Sequence, residues 1–108
     1  MPKNEMIPGT LGMLVLRVLQ PGPLHGYAIA QRIHQLSNDL LQVEEGSLYP
    51  ALQRMLLKGW VRAEWGISET SRKVRFYRLT AAGRKQLQSE ISDFDRVMQG
   101  IAAVLAKA

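Results

Sequence analysis

Six cations between Arg72 and Lys85 are the residues of this 108-residue chain with the clearest chemistry, and the segment contains no acidic residue. Lysine and arginine bind phosphate, and an arginine can also form two hydrogen bonds with one guanine. The whole chain has 14 Lys and Arg against 9 Asp and Glu, a formal charge of +5 that favours polyanionic partners. The pattern predicts contact with nucleic acid, and a solvated basic surface is the alternative interpretation.

Catalytic chemistry is not indicated by the sequence. The chain has no cysteine, which excludes disulfides, thiolate metal sites and thiol catalysis. His25 and His34 lie in no metal-site spacing with carboxylates, and no nucleophile is accompanied by a base and an orienting group. We therefore expect no enzyme activity, no metal and no cofactor. Residues 1–8 lack a signal-peptide pattern and no stretch reaches about 18 consecutive apolar residues, so we expect a cytoplasmic protein without membrane contact.

Hydrophobic spacing predicts which elements position the cations. Apolar residues recur every three or four positions over 11–19 and 26–36, as in two short helices. In the first of these helices, Met13 and Leu16 lie off the main apolar stripe, so a second face is apolar as well. Further along the chain, 60–65 and 74–79 are short and rich in aromatic and β-branched residues, which is typical of strands. A polar loop over 66–73 joins the two strands, so several of the cations fall on a hairpin.

A third helix is predicted over 47–58, between the second helix and the hairpin. Its start is inferred from Pro50, because proline has no N–H and is tolerated only in the first turn of a helix. Ser47 is then the N-cap, and Gly59 ends the helix in a left-handed conformation. A helix followed by a hairpin is the layout of a winged helix-turn-helix, so we expect a mainly α fold with a small β-hairpin.

A long last helix is predicted after Thr80. Its apolar residues alternate in spacings of four and three, and at 1.5 Å per residue it would span about 40 Å. Three short helices and a hairpin cannot cover such a helix, so we expect a two-fold homodimer. The predicted dimer contacts come from the first and last helices: Leu11, Leu14, Leu87, Ile91, Phe94, Met98, Ile101 and Leu105. The predicted division is an N-terminal arm over 1–8, a winged helix-turn-helix domain over 9–80 and a dimerisation helix over 81–108.

Four short motifs follow one another in a characteristic order. They are His25-Gly26-Tyr27, then Glu-Gly-Ser-Leu-Tyr-Pro-Ala-Leu over 45–52, Gly59-Trp60-Val61, and Tyr-Arg-Leu-Thr-Ala-Ala-Gly over 77–83. Together they resemble the PadR family of bacterial transcriptional regulators, in the short form with one C-terminal helix, and residues 64–69 resemble its acidobacterial subgroup. The resemblance implies a winged-helix homodimer that binds a palindromic operator in double-stranded DNA, usually as a repressor relieved by a small molecule or another signal.

The resemblance also implies where DNA is contacted. In the family the start of the recognition helix enters the major groove, and this helix falls on 47–58, while the wing over 66–73 meets the minor groove or the backbone. The candidate DNA contacts are Ser47, Tyr49, Pro50, Gln53 and Arg54 on the helix, Arg72, Lys73 and Arg75 on the hairpin, and Arg32 on the second helix. Tyr49 could instead pack on the second helix, and Ser47 could serve only as an N-cap.

Two alternatives from other classes stay open. A winged helix without DNA binding could serve as a protein-interaction module, although an acidic or apolar wing would be expected and this wing is neither. A cavity between Phe94, Met98 and the first helix of a dimer could make the protein a sensor of a small-molecule effector. Within the hairpin, Arg75 and Arg78 are expected on opposite faces of one strand, so only one of them should face DNA.

Overall fold

A computed structural model of the chain describes residues 9–108, and the predicted arm over 1–8 lies outside the described residues. Within this part of the chain the elements are α1 (Leu11–Val18), β1 (Leu24–His25), α2 (Gly26–Leu36), α3 (Glu45–Leu57), β2 (Val61–Ile67), β3 (Lys73–Leu79) and α4 (Ala81–Lys107). The strands form one antiparallel sheet in the order β1-β3-β2. This is a winged helix-turn-helix in which β2, β3 and their loop form the wing, so the predicted fold class is confirmed.

The hydrophobic core lies where the four helices meet the base of the sheet. Its buried residues are Val15, Leu16, Val18, Leu19, Ile29, Ile33, Leu48, Ala51, Leu52, Met55, Val61, Tyr77, Leu79 and Leu87. Burying one such leucine or isoleucine contributes about 1.5–3 kcal/mol, so the set is the main stabilising term of the fold. Because α1 packs against all three other helices, its second apolar face is largely covered within the chain.

α3 begins two residues earlier than predicted. Its N-cap is Glu44, and the amides of Ser47 and Leu48 both donate to the Glu44 carbonyl oxygen, at 3.0 and 2.9 Å. Ser47 is therefore the third residue of the helix rather than its N-cap, and Pro50 is the sixth. The proline is tolerated because the carbonyl that its missing amide would bond belongs to Gly46, a solvent-exposed residue to which water has access.

The C-terminal end of α3 agrees with the prediction of a left-handed cap, although the helix ends at Leu57 rather than at 58. Gly59 has φ of +75°. The Gly59 amide donates to the Leu56 carbonyl at 3.1 Å, and the Trp60 amide donates to the Met55 carbonyl at 3.0 Å. These two bonds define a Schellman motif, which fixes the direction in which the chain leaves α3 for β2.

The wing has longer strands and a shorter loop than predicted. β2 and β3 pair as far as Ile67 and Lys73, so the loop spans 68–72 rather than 66–73. Glycine usually weakens a strand, yet β2 continues through Gly66. The reason lies on β3, where the ring of Phe76 covers this glycine and a Cβ at Gly66 would lie 2.8 Å from a ring carbon.

The two-residue strand β1 was not predicted, since a strand this short has no periodicity to detect. Leu24 pairs with Tyr77 and His25 with Phe76 on β3. His25 is also the N-cap of α2, because its Nδ1 accepts a hydrogen bond from the Ala28 amide at 3.4 Å. The start of α2 is thereby attached to the middle of the sheet.

Thr80 joins α3, the sheet and α4 at one corner. Its Oγ1 accepts a hydrogen bond from the Gly83 amide at 3.0 Å and donates one to the Gly59 carbonyl at 2.6 Å. Its amide donates to the Trp60 carbonyl at 3.1 Å. Gly83 is buried in this corner, where a Cβ would overlap the Trp60 carbonyl oxygen and lie 2.7 Å from Leu79 Cδ1. The first turn of α4 can lie this close to the sheet only with glycine at position 83.

α4 has the predicted bounds but is divided in its packing. Leu87, predicted as a dimer contact, is completely buried in the chain's own core, because the tight corner at Gly83 lays this turn of the helix against it. The predicted contacts Leu11, Leu14 and Ile91 are half-buried against the same core. Farther along, the helix leaves the core, and its exposed apolar residues are Val97, Ile101, Val104 and Leu105.

Gly83→Ala tests the close packing of α4 on the sheet. We expect the free energy of unfolding to fall by about 3 kcal/mol, because the added methyl group meets a backbone carbonyl that cannot rotate away. Gly46→Ala is the matched control, since this helical glycine has no atom within 4 Å of an added Cβ. Its stability should be unchanged or higher by up to about 1 kcal/mol. Urea unfolding at one fixed protein concentration measures both, and equal stabilities of the two variants would contradict the packing.

Candidate nucleic-acid interface

The start of α3 and the adjacent face of the wing enclose an open cavity of about 360 Å³. Residues from β1, α2, α3 and the wing line it: His25, Gly26, Tyr27, Tyr49, Trp65, Val74, Arg75 and Tyr77. Most of these side chains are aromatic and one is a cation. The surface therefore combines rings that can stack with groups that can bind phosphate.

Tyr49 is held on α3 by packing against the start of α2. A Cβ at Gly26 would lie 2.7 Å from the Tyr49 hydroxyl oxygen, so only glycine at this position allows the ring to lie so close. Burial raises the pKa of Tyr49 above its ordinary value of 10.0, with smaller contributions from Glu45 and Tyr77. The residue is nevertheless 45% exposed. Tyr49 thus packs on α2 and still has a solvent-exposed part.

The other α3 candidates lie together on the exposed side of the helix. Ser47, Pro50 and Arg54 are spaced by three and four residues and share one row, and Gln53 follows Tyr49 by one turn. All four candidates are exposed. Serine and arginine can bind phosphate, whereas glutamine and arginine can hydrogen-bond the edges of adenine and guanine. The structure therefore places the predicted α3 residues on one continuous surface.

The two faces of the wing differ in their cations. Lys73 and Arg75 share a face with Trp65, which pairs directly with Arg75 across the strands. Arg75 also lines the cavity beside α3. Arg78 lies on the opposite face, where its guanidinium is 3.4 Å from a carboxylate oxygen of Glu64. The expected separation of the two arginines is confirmed, and Arg75 is the one beside α3.

Arg72 and Arg32 do not line the cavity beside α3. Arg72 ends the wing loop and lines a cleft of about 690 Å³ between this loop and α2. Arg32 is exposed on α2, one turn after Ala28, which lines the same cleft. Tyr27 lines both this cleft and the cavity beside α3. Of the predicted wing cations, Arg75 therefore lines the cavity beside α3 and Arg72 lines the cleft beside α2, and Tyr27 lies between the two.

Two exposed aromatic residues of this surface were not among the predicted contacts. Trp65 is 64% exposed, and Tyr27 is exposed as well. Strand alternation could have placed Trp65, because it lies two and four residues after the inward-facing Ala63 and Val61 and so faces the α3 side. Its exposure depends on how far the hairpin projects beyond the core, which alternation does not determine.

Within residues 9–108, no group of three or more His, Cys, Asp or Glu side chains could hold a metal ion. Over the same residues, no helix combines the length and the apolar composition needed to cross a membrane.

Comparison with known proteins identifies the class to which this winged helix belongs. Residues 15–89 match the model of the transcriptional regulator PadR-like family, so the chain belongs to this family. The predicted family is thereby confirmed, while the resemblance to the acidobacterial subgroup stays a prediction. The family consists of transcriptional regulators, which are not a class of enzyme.

Solved structures of similar proteins share the fold along most of the chain. A transcriptional regulator from Clostridium thermocellum is 25% identical with a TM-score of 0.81, over 88% of this chain and 92% of that one. A PadR family regulator from Eggerthella lenta is 28% identical with a TM-score of 0.77, over 93% and 85%. Bacillus subtilis PadR in complex with operator DNA is 23% identical with a TM-score of 0.67, over 76% of this chain and 47% of that chain.

The raised pKa of Tyr49 can be measured by following tyrosinate absorbance against pH. The difference between wild type and Tyr49→Phe isolates this residue, and we expect its midpoint above 10.0. Because the folded chain favours the neutral phenol, Tyr49 stabilises the fold below about pH 10, and this contribution declines as the pH rises through the folded-state pKa. In urea-unfolded protein the midpoint should return to the ordinary value. A midpoint at or below 10.0 in the folded protein would contradict the packing on Gly26.

Proposed function

We propose that this protein is a sequence-specific DNA-binding transcriptional regulator that acts as a homodimeric repressor in the cytoplasm. In this proposal the start of α3 enters the major groove of a palindromic operator, and the wing contacts the minor groove or the backbone. As is usual in the family, a small-molecule effector would relieve repression. The observation that carries the proposal is the continuous surface on which the exposed α3 residues lie beside Lys73 and Arg75.

The charges of the wing support contact with phosphate on the α3 side. Lys73 and Arg75 are both exposed there, and Arg75 lines the cavity beside α3. On the opposite face Arg78 has Glu64 as its partner, and Arg62 lies directly across the strands from Arg78. A cation with a nearby carboxylate has less charge available for DNA, while each unpaired cation can displace one counterion from the duplex. Arg72 and Arg32 would contact the backbone farther along, beside α2.

The chemistry of α3 supports base contacts in the major groove. Gln53 can form two hydrogen bonds with adenine, and Arg54 can form two with guanine or bind a phosphate. Ser47 lies in the first turn, where its hydroxyl can donate to a phosphate and the helix dipole favours an anion. The exposed part of the Tyr49 ring can contact a thymine methyl group.

The distal half of α4 supports a homodimer. Val97, Gly100, Ile101, Val104 and Leu105 form an apolar surface on this helix beyond the core. An isolated helix with such a stripe is stabilised by packing against another helix. The predicted residues Phe94 and Met98 are half-buried and lead from the core to this surface. In a two-fold dimer the two α3 helices would contact half-sites about one helical turn of DNA apart.

Fluorescence anisotropy with the DNA upstream of the protein's own gene tests the function. The duplex and a shuffled control of the same composition are titrated across a salt series. Preference for the upstream DNA with a steep salt dependence is expected of an operator-specific regulator. Equal affinity for both duplexes would move the search to other promoters. No binding to either at low salt would contradict the proposal and favour a protein-interaction module.

The two arginines of β3 provide a matched pair for the same assay. Arg75→Ala should weaken binding and reduce the salt slope by about one, because one phosphate contact is lost. Arg78→Ala removes the same charge three residues later on the opposite face and should change neither quantity. Equal losses in the two variants would mean that charge alone, without the wing's orientation, determines binding.

Aspartate substitutions on α4 test the dimer. Ile101→Asp with Leu105→Asp should give monomers by light scattering, since two charges would be buried in an apolar interface. Gln99→Asp with Ala106→Asp adds the same charges on the opposite side of the helix and should leave the dimer intact. A dimer that survives the first pair of substitutions would exclude this surface as the interface.

A further inference from the structure

Trp65 lies beneath the two wing cations that face α3. The Lys73 ammonium is 5.2 Å from the centre of the indole ring, and the Arg75 guanidinium carbon is 5.9 Å from it. Arg75 also lies 6.0 Å from the ring of Tyr77, which is itself part of the core. Both cations are thus within the distance at which the face of an aromatic ring attracts a positive charge.

The register of the hairpin explains this arrangement. Trp65 lies directly opposite Arg75, and Lys73 is the diagonal neighbour on the same face. Cross-strand neighbours of this kind are close enough for long side chains to lie along a ring. The same face lines the cavity that contains Tyr49 at the start of α3. The indole therefore holds the cations on the side of the wing that faces α3.

An exposed tryptophan on a wing needs an explanation, since it adds apolar surface to solvent. Trp65 is 64% exposed, so its contribution to the core is small. Lysine and arginine side chains lose much rotamer freedom when they bind a phosphate, and this loss of entropy opposes binding. A ring that already restricts these side chains reduces that cost at the moment of binding.

We propose that Trp65 is a positioning residue for DNA binding: it orders Lys73 and Arg75 so that both reach the phosphate backbone from the α3 side of the wing. The inference rests on the proposed function and extends it to a residue that makes no DNA contact of its own. Its contribution passes through the two cations, so it should vanish when they are absent.

A double-mutant cycle in the anisotropy assay tests this role. Trp65→Leu keeps an apolar side chain but removes the π face, and should weaken binding about five-fold, since two side chains lose their ordering. The salt slope should stay close to that of wild type, because the cations are still present. In a Lys73→Ala, Arg75→Ala background the same substitution should change affinity less than two-fold.

Two further variants separate positioning from general effects on the hairpin. Trp65→Tyr retains an aromatic face and should recover most of the lost affinity. Ile67→Ala is the comparison, because Ile67 is 67% exposed on the same face of β2, directly opposite Lys73, but has no π system. It should weaken binding less than Trp65→Leu does. Thermal unfolding of every variant checks that the exposed substitutions leave the fold intact.

Each outcome distinguishes this inference from the proposed function. A Trp65→Leu loss that persists in the background without the cations would mean direct contact between the indole and DNA, and would overturn positioning. Wild-type affinity in Trp65→Leu would overturn it as well. If wild type binds neither duplex, the proposed function fails first and this role fails with it. NMR ring-current shifts of the Lys73 and Arg75 side chains in the free protein, lost in Trp65→Leu, then establish whether the stacking itself exists.

Discussion

The hydrogen bonds of Thr80 are the constraint on which the arrangement of this domain depends. One hydroxyl caps α4 through the Gly83 amide and also bonds the Gly59 carbonyl in the cap of α3. An N-cap of this kind stabilises a helix by about 1 kcal/mol. Here the same hydroxyl also joins the two residues that flank the helices, Gly59 after α3 and Thr80 before α4, which are 21 residues apart in sequence. The absence of a side chain at Gly83 completes the corner, because a Cβ there would meet the Trp60 carbonyl.

This corner determines where the candidate interface lies. The Schellman turn at Gly59 sets the direction in which β2 leaves α3, and the Trp60 carbonyl that follows it accepts the Thr80 amide. The two ends of the hairpin are thus fixed to each other and to α3. The wing can then project only along the side of α3 where Tyr49 is exposed. Cations on one face of the wing lie beside α3, and those on the other face do not. The difference between them is their position in the structure and not their residue type.

Sequence patterns predicted the elements whose signals are local. The bounds of α2 and α4 follow from periodicity together with Thr80 and are confirmed. The predicted start of α3 was wrong. The prediction counted the backbone hydrogen bond that Pro50 cannot donate as a loss, whereas the exposed Gly46 carbonyl can accept a hydrogen bond from water instead. The predicted wing loop was too long. The Phe76 ring that covers Gly66 and allows β2 to continue through it lies on the other strand, so the local sequence around Gly66 does not reveal it. Among the candidate contacts, Tyr49 and Arg75 could be placed by spacing, while the exposure of Trp65 depends on tertiary structure.

The division of α4 would link the proposed dimer to the proposed DNA contacts. Its first two turns are fixed by Gly83 and by Leu87, which is buried in the core, so this part of the helix cannot move independently of the wing. Its last turns have apolar residues with no cover within residues 9–108. If a second copy packs there, the crossing angle of the two helices is transmitted through a rigid helix to both α3 segments. A ligand that changed this angle would change the separation of the recognition surfaces, so regulation would require no movement within the winged helix itself.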